Sequence, residues 1–331
     1  MARLLDQLVG HEKIVERFLA ARDAGRLPHT FLLVGTPGIG KKLTAMALAQ
    51  ALICEASPKA CGLCGPCVRI SKLALPAVGV VAKDFVPAHS TESLLLIEPE
   101  KSVIKVDQAR EILDFLTLRS NTRRAIIIDS AEMLNPQAAN SLLKVLEEPP
   151  EGTYFFLIAP SPTQMLPTLQ SRSQIVSFSP LTSEQMKKRS RAPEWAIRAS
   201  SGSFEKLQML TEKVELEIRE SACAWLASWM ANPQGYLTEE FRSLAKDRSV
   251  APRLVDHLLM LLRDAIFYQL GLKASMMNVD KEAFVADLAK LPAASLNTAV
   301  EKALQLQKLL LQNFDSSLMF EQFWIESRHV P

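Results

Sequence analysis

The sequence predicts an α/β layer fold with a parallel sheet, followed by an all-α region. Three observations carry this prediction. Short continuous apolar runs alternate with helical stretches up to about residue 180, the pattern of strands buried on both faces. The first such run, TFLLVG at 30–35, passes through a glycine-rich turn into an Ala- and Leu-rich helix. Beyond Pro180 there is no convincing strand, and the remaining sequence reads as helices.

The elements follow in order. HEKIVERFLAARDA, 11–24, places apolar side chains at 14, 15, 18, 19 and 21, one helical face, with Gly25 as its cap. The strand at 30–35 leads into the loop GTPGIGKK, 35–42, and the helix KLTAMALAQALIC. Residues 74–88 mix Pro, Gly and Val without a period and read as a loop or insertion, which leaves the register near His89 open. SLLLIEPE then reads as a strand. VDQAREILDFLTLR reads as an amphipathic helix with Asp107 as N-cap. RRAIIIDS, 123–130, is a buried strand. Its two arginines form a basic cluster with Arg119, and the plain reading of that cluster is a solvated face. In NPQAANSLLKVLEEPP, Asn135 caps a helix, Pro136 takes its first position and Pro149 stops it. TYFFLIA, 153–159, and QIVSFSP, 174–180, complete the strands. TSEQMKKRS and PEWAIRASSGSFEKLQML read as short helices, and long helices follow from about residue 212.

A chain of 331 residues can form two or three domains. Its formal net charge of +2 neither demands nor forbids nucleic acid. No apolar run is long enough to span a membrane, so no membrane partner is expected. MARLLDQLVGHEKIVERFL threads charges through its apolar residues and does not read as a secretory signal. Four of the five cysteines crowd into fourteen residues, which suggests metal rather than disulfides and a cytoplasmic location.

Gly35, four residues, Gly40 and Lys41 form the skeleton of a phosphate-binding loop. Backbone N–H groups of 36–41, turning at Gly38, can cradle a pyrophosphate, with Lys41 as a point charge. The next residue should be Ser or Thr, to hold magnesium. It is Lys42, which cannot ligate a metal and brings a second cation to the metal's position. Thr44 lies about 200° further round the helix and faces away. The bland reading is a glycine turn without a ligand. AIIIDSAE supports the other reading: Asp129 stands where such folds orient the metal and its water. In hydrolytic sites of this kind the following residue is the Glu that activates water. Here it is Ser130, whose hydroxyl is no general base at neutral pH, and Glu132 is expected to point elsewhere. The two losses together predict a degenerate nucleotide site that binds ATP weakly or not at all and does not hydrolyse it.

Cys54, Cys61, Cys64 and Cys67 have the count and spacing of a closed structural zinc site. A redox pair is the alternative, since CxxC occurs twice. Cys223, among apolar neighbours, reads as an inert core residue. Arg172, in LQSRSQI, is by default a surface arginine. A loop at the end of a nucleotide-type sheet is also where a finger arginine reaches a neighbouring subunit.

GRLPHTFLLVGTPGIGKK, the four cysteines, IKVDQAREI, NPQAANSLLKVLEEPP and LPTLQSRS, in this order, resemble the bacterial clamp-loader family of AAA+ proteins. The resemblance is strong over about 7–180. Beyond that only SGSF and NFDSSLMFEQFW carry it. It implies an AAA+ P-loop domain over 1–179 with a zinc module at 54–67, a small helical lid over 180–211, and an all-α oligomerising collar over 212–331. It also implies roles: Gly35, Gly38, Gly40 and Lys41 as the phosphate loop, Asp129 as the Walker B aspartate, the four cysteines as Zn2+ ligands. Arg172 matches the arginine that completes, in trans, the ATP site of an adjacent ATPase subunit, although Ser173 stands in place of that motif's cysteine. Glu205 replaces the lid arginine of the ATPase subunits, and Ala159-Pro160 replaces a polar sensor. The implied protein is a non-hydrolysing member of a hetero-oligomer with gamma/tau ATPase and delta subunits. That complex belongs to a DNA-directed DNA polymerase holoenzyme and loads a sliding clamp onto primed DNA. The alternative is an active gamma/tau-like motor, against which Lys42, Ser130 and Glu205 argue. A stand-alone P-loop kinase or transferase leaves the cysteines and the helical tail unexplained.

Overall fold

A computed structural model describes residues 3–57, 59–74, 91–117, 123–231, 239–310, 312 and 315–327. Most of the expected insertion (75–88), His89 and Arg119 lie outside these residues. The chain divides into two compact units, Met1–Lys188 and Arg189–Pro331.

The first unit is built on five parallel strands in the order β2-β3-β4-β1-β5. They are β1 (Thr30–Val34), β2 (Leu94–Ile97), β3 (Arg124–Ile128), β4 (Thr153–Ala159) and β5 (Gln174–Ser177). Successive side chains alternate between faces. Leu32, Ile126, Ile128 and Phe155 pack on one side, under α4 (Val106–Thr117) and α5 (Pro136–Glu147). Phe31, Leu33, Ile127 and Phe156 pack on the other, under α1 (Glu12–Asp23) and α2 (Lys41–Ile53). That double burial is why the strands read as continuous apolar runs. β5 is the exception: it lies at the sheet edge and three of its four residues are exposed.

Chain order reverses at β1, which lies between β4 and β5. In open parallel sheets the crevice beyond the carboxyl ends of the strands, at such a reversal, is where ligands bind. The phosphate-loop glycines leave β1 at that edge, Glu98 leaves β2, Asp129 leaves β3, and Pro160 leaves β4.

Two local expectations need correction. Asp107 is not the N-cap of α4, because the helix already includes Val106; Asp107 lies in the first turn, where its charge suits the helix dipole. Arg124 is buried rather than solvated. Its guanidinium donates to the carbonyl of Phe115 at 2.8 Å, near the C-terminus of α4, and lies over the Phe115 ring. Cys64 precedes, and Cys67 lies in the first turn of, a helix the sequence reading did not include, α3 (Gly65–Ala74). Short helices α6 (Pro167–Gln170) and α7 (Ser183–Lys187) complete this unit.

The second unit is helical throughout its described residues. It runs through α8 (Glu194–Ala199), α9 (Phe204–Leu210), α10 (Lys213–Ala231), α11 (Glu239–Lys246), α12 (Ala251–Gln269), α13 (Glu282–Leu288), α14 (Ala293–Leu310) and α15 (Ser316–Glu326). Trp225, Trp229, Phe320, Phe323 and Trp324 fill its core, with Cys223 buried among them as expected. Two polar clusters are embedded there. Arg219 stacks on Trp195 at 3.7 Å and donates to Asp280 at 2.7 Å and Asn278 at 2.9 Å. Glu215, buried, accepts from His257 at 2.9 Å and pairs with Arg253.

Burial alone would raise the Glu215 carboxyl, but His257 and Arg253 outweigh it and hold it below its ordinary value of 4.5. A depressed carboxylate stabilises the fold above its unfolded pKa, and that contribution is lost as pH falls through the folded pKa. Glu215→Gln is therefore expected to cost about 2–4 kcal/mol at pH 7, because the half-buried Arg253 guanidinium loses its counter-charge. The penalty should shrink below pH 4.5. Chemical denaturation at pH 7 and pH 4 checks this, and an equal penalty at both would contradict the ionic account.

Candidate functional site: the carboxyl edge of the sheet and the thiol cluster

The phosphate loop owes its shape to glycine. Gly35 has φ 151° and Gly40 φ 99°, both in the region that side chains rarely adopt. A Cβ at Gly35 would also meet the Phe178 carbonyl oxygen at 2.7 Å. The loop is pinned from below by His11, whose Nε2 lies 2.7 Å from the Ile39 carbonyl and whose ring packs edge-on to Phe178. The N–H groups of Thr36, Gly38, Ile39 and Gly40 donate to no backbone carbonyl among the described residues. They remain available to an anion at the N-terminus of α2. Lys41 is folded back on the loop, donating to the carbonyls of Gly35 and, at 2.8 Å, Thr36.

Lys42 is the decisive residue. Its ammonium pairs with Glu98 and lies 3.3 Å from Asp129 Oδ2. Burial would lower its pKa, but the two carboxylates outweigh that and raise it above 10.5, so the group stays charged. A cation thus stands against the aspartate that would otherwise help to hold magnesium. Asp129 is engaged on both sides, since its Oδ1 accepts from the Ser130 N–H at 3.0 Å. Thr44 offers no substitute: it is fully buried and donates to the Gly40 carbonyl at 2.9 Å.

Ser130 sits in the left-handed region, φ 53° and ψ 51°, and starts a short 3-10 turn over Ala131–Met133. Glu132 lies in this turn, half-buried, and its Oε2 has no hydrogen-bond partner among the described residues. Burial, reinforced by Asp129, raises its carboxyl above the ordinary value of 4.5.

Arg172 follows α6, just before β5. It is not part of the Lys42 cluster. Its Nε donates to Glu147 Oε1 at 2.6 Å, its Nη2 reaches the same oxygen, and its Nη1 donates to the Thr168 carbonyl at 2.9 Å. The sequence did not single out Glu98, His11 or Glu147. Only the position of Glu98, directly after an apolar run, gave a signal.

The four thiols converge at the far end of α2, thirteen residues and about 20 Å of helix from the phosphate loop. All four Sγ atoms lie within 4.8 Å of one another, and Cys54–Cys64 and Cys61–Cys67 are each 4.0 Å apart. A tetrahedral ion with metal–sulfur bonds of about 2.3 Å needs sulfur–sulfur separations of about 3.8 Å, so the cluster fits one. Backbone N–H groups of Cys64 and Leu63 lower the Cys61 thiol to about 6, while burial pushes Cys67 up to about 12. Buried Gln50 anchors the module to α2, donating to the Cys67 carbonyl at 2.9 Å and Ser71 Oγ at 2.8 Å.

If Lys42 holds the metal's position, replacing it should open that position. Lys42→Thr leaves Glu98 and Asp129 facing each other without their cation. At magnesium tenfold over its Kd, linkage predicts about 1.4 kcal/mol of stabilisation in the variant, a shift of a few degrees in melting temperature. The parent should not respond. Equal magnesium response in thermal melts of both proteins would contradict this assignment.

Known proteins resemble the chain over most of its length. A profile described as "DNA polymerase III, delta subunit" matches residues 10–182, and one described as "DNA polymerase III, delta subunit, C terminal" matches 213–328. The chain is 31% identical to the DNA polymerase III subunit delta' of Escherichia coli K12, over 83% of this chain and 80% of that one. It is 30% identical to the delta' subunit of Yersinia pestis, over 87% and 84%. A gamma/tau subunit of Mycobacterium tuberculosis is 34% identical over 176 residues, and the chain spans 28% of that protein's length. A solved gamma-subunit-related protein of Thermotoga maritima covers 99% of both chains at 16% identity, with a TM-score of 0.43, too low to support any inference. The two profiles and the E. coli relative are sufficient: this chain belongs to the DNA polymerase III delta' subunit family.

Proposed function

We propose that this chain is the non-hydrolysing subunit of a DNA polymerase III clamp loader, the complex that uses ATP to open a sliding clamp and place it on primed DNA. The observation that supports this reading most is the Lys42 ammonium held between Glu98 and Asp129. A site with that charge arrangement has no place for a catalytic magnesium, and Ser130 supplies no base. Nucleotide binding at Lys41 is then weak or absent. The motor alternative would need both features to be otherwise.

In this reading the AAA+ domain spans 1–179, a helical lid 180–211 and an oligomerising collar 212–331. The partners are the gamma/tau ATPase and delta subunits in a cytoplasmic hetero-oligomer. Arg172 acts in trans, stabilising charge on the phosphate transferred in the neighbouring subunit's site. Cys54, Cys61, Cys64 and Cys67 hold a structural Zn2+, which closes the module at the end of α2 and leaves no open coordination position.

Arg172→Ala tests the trans role. The variant should fold and assemble, while ATP turnover at the site it completes falls by about 10³–10⁵. Parental turnover in the complex containing the variant would sink the reading. For the thiols, elemental analysis of the purified chain should find one zinc per molecule, lost in Cys61→Ser together with thermal stability. Full stability without zinc would leave the cluster as thiols alone.

A further inference from the structure

Arg172 is not free to reach outwards in this chain. Its Nε and Nη2 share Glu147 Oε1, and its Nη1 is divided between the Thr168 carbonyl and Ser171 Oγ at 3.3 Å. Every nitrogen of the guanidinium is engaged within the same domain. The backbone beneath it is fixed as well. Gln170 Nε2 donates to the carbonyls of Pro162 and Met165, and Ser173 Oγ donates to the Leu169 carbonyl. Only the arginine side chain is left to move.

Glu147 is an odd residue for its position. It is the last residue of α5, at the negative end of the helix dipole, and Glu148 follows it. Helix stability favours lysine or arginine at such an end, and an acid there is unfavourable without a counter-charge. Arg172 supplies that counter-charge. Nothing in the packing of α5 calls for a carboxylate at 147, because the helix buries Ala138, Ala139, Leu142 and Leu146. Glu147 therefore earns its place through the arginine.

We propose that Glu147 parks Arg172 in cis, so that the neighbour's phosphate must displace the Glu147 carboxylate to engage the finger. This rests on the reading of Arg172 as a trans-acting finger. The pair is suited to release. Its side chains are 29% and 49% exposed, and an ion pair so accessible to water is weak. A nucleotide triphosphate carries more charge than a carboxylate and binds guanidinium through paired hydrogen bonds, so it wins the competition once the subunits close. Before closure, the latch keeps the guanidinium from collecting stray anions and holds it at the sheet edge.

The test is a double-mutant cycle in the reconstituted clamp-loader complex, measuring DNA-stimulated ATP turnover. Glu147→Gln removes the competing charge and keeps the shape. It should raise kcat about two- to fivefold, the population change that an exposed ion pair can command, with KM for ATP unchanged. Glu147→Asp keeps the charge and should stay near the parental rate. In an Arg172→Ala background the gain from Glu147→Gln should vanish, which a general effect on α5 would not produce. If Arg172→Ala lowers turnover but Glu147→Gln leaves it at or below the parental rate, the latch is overturned and the finger stands. If Arg172→Ala turns over at the parental rate, the finger reading falls and the latch with it.

Discussion

The ammonium of Lys42 organises the whole candidate site. Two carboxylates, Glu98 and Asp129, leave neighbouring strands at the carboxyl edge of the parallel sheet and converge on one small volume. In a hydrolytic site a divalent cation would relieve their repulsion. Here a side chain covalently fixed to the first turn of α2 does so, whether or not nucleotide is present. The consequences are thermodynamic as well as chemical. A fixed cation lets the loop, α2 and the sheet edge hold one arrangement without a ligand, whereas a metal site of the same shape would depend on occupancy.

This rigidity fits the placement of other groups. α2 carries the phosphate loop at one end and leads directly into Cys54 at the other, and Gln50 ties its middle to α3. His11 clamps the loop from α1. The same helix therefore meets three constraints that do not involve a nucleotide. Arg172, the proposed finger, follows a short, cross-braced segment and is held there by Glu147. A domain that keeps its own site neutralised in this way is consistent with the proposed role as a scaffold for a neighbour's chemistry.

Much of this was legible in the sequence, and the physical reason is periodicity. Strands buried on both faces have to be continuous apolar runs, so β1, β3 and β4 could be read directly. Asn135 and Pro136 announced α5, and the Asn135 side chain does accept from the Ala138 N–H at 2.7 Å. The glycine loop and the four thiols were visible because their chemistry fixes residue type and spacing together. What could not be read were long-range pairings. Lys42 and Glu98 are 56 residues apart and Arg172 and Glu147 are 25 apart, and no local pattern links them. Arg124 looked like a surface charge because its partner is the backbone end of α4, which offers no sequence signal. The left-handed turn at Ser130 was equally hidden, because it falls on a residue that is not glycine.

The fixed charge of Lys42 is proposed to leave this site without metal-dependent catalysis. Magnesium-dependent ATP turnover by the purified chain alone, set beside Lys41→Ala, tests that most directly. The same background rate is expected for both proteins. Turnover by the parent clearly above the Lys41→Ala control would mean that Lys42 moves aside for the metal, that another group replaces the missing base, and that the chain is a motor rather than a scaffold.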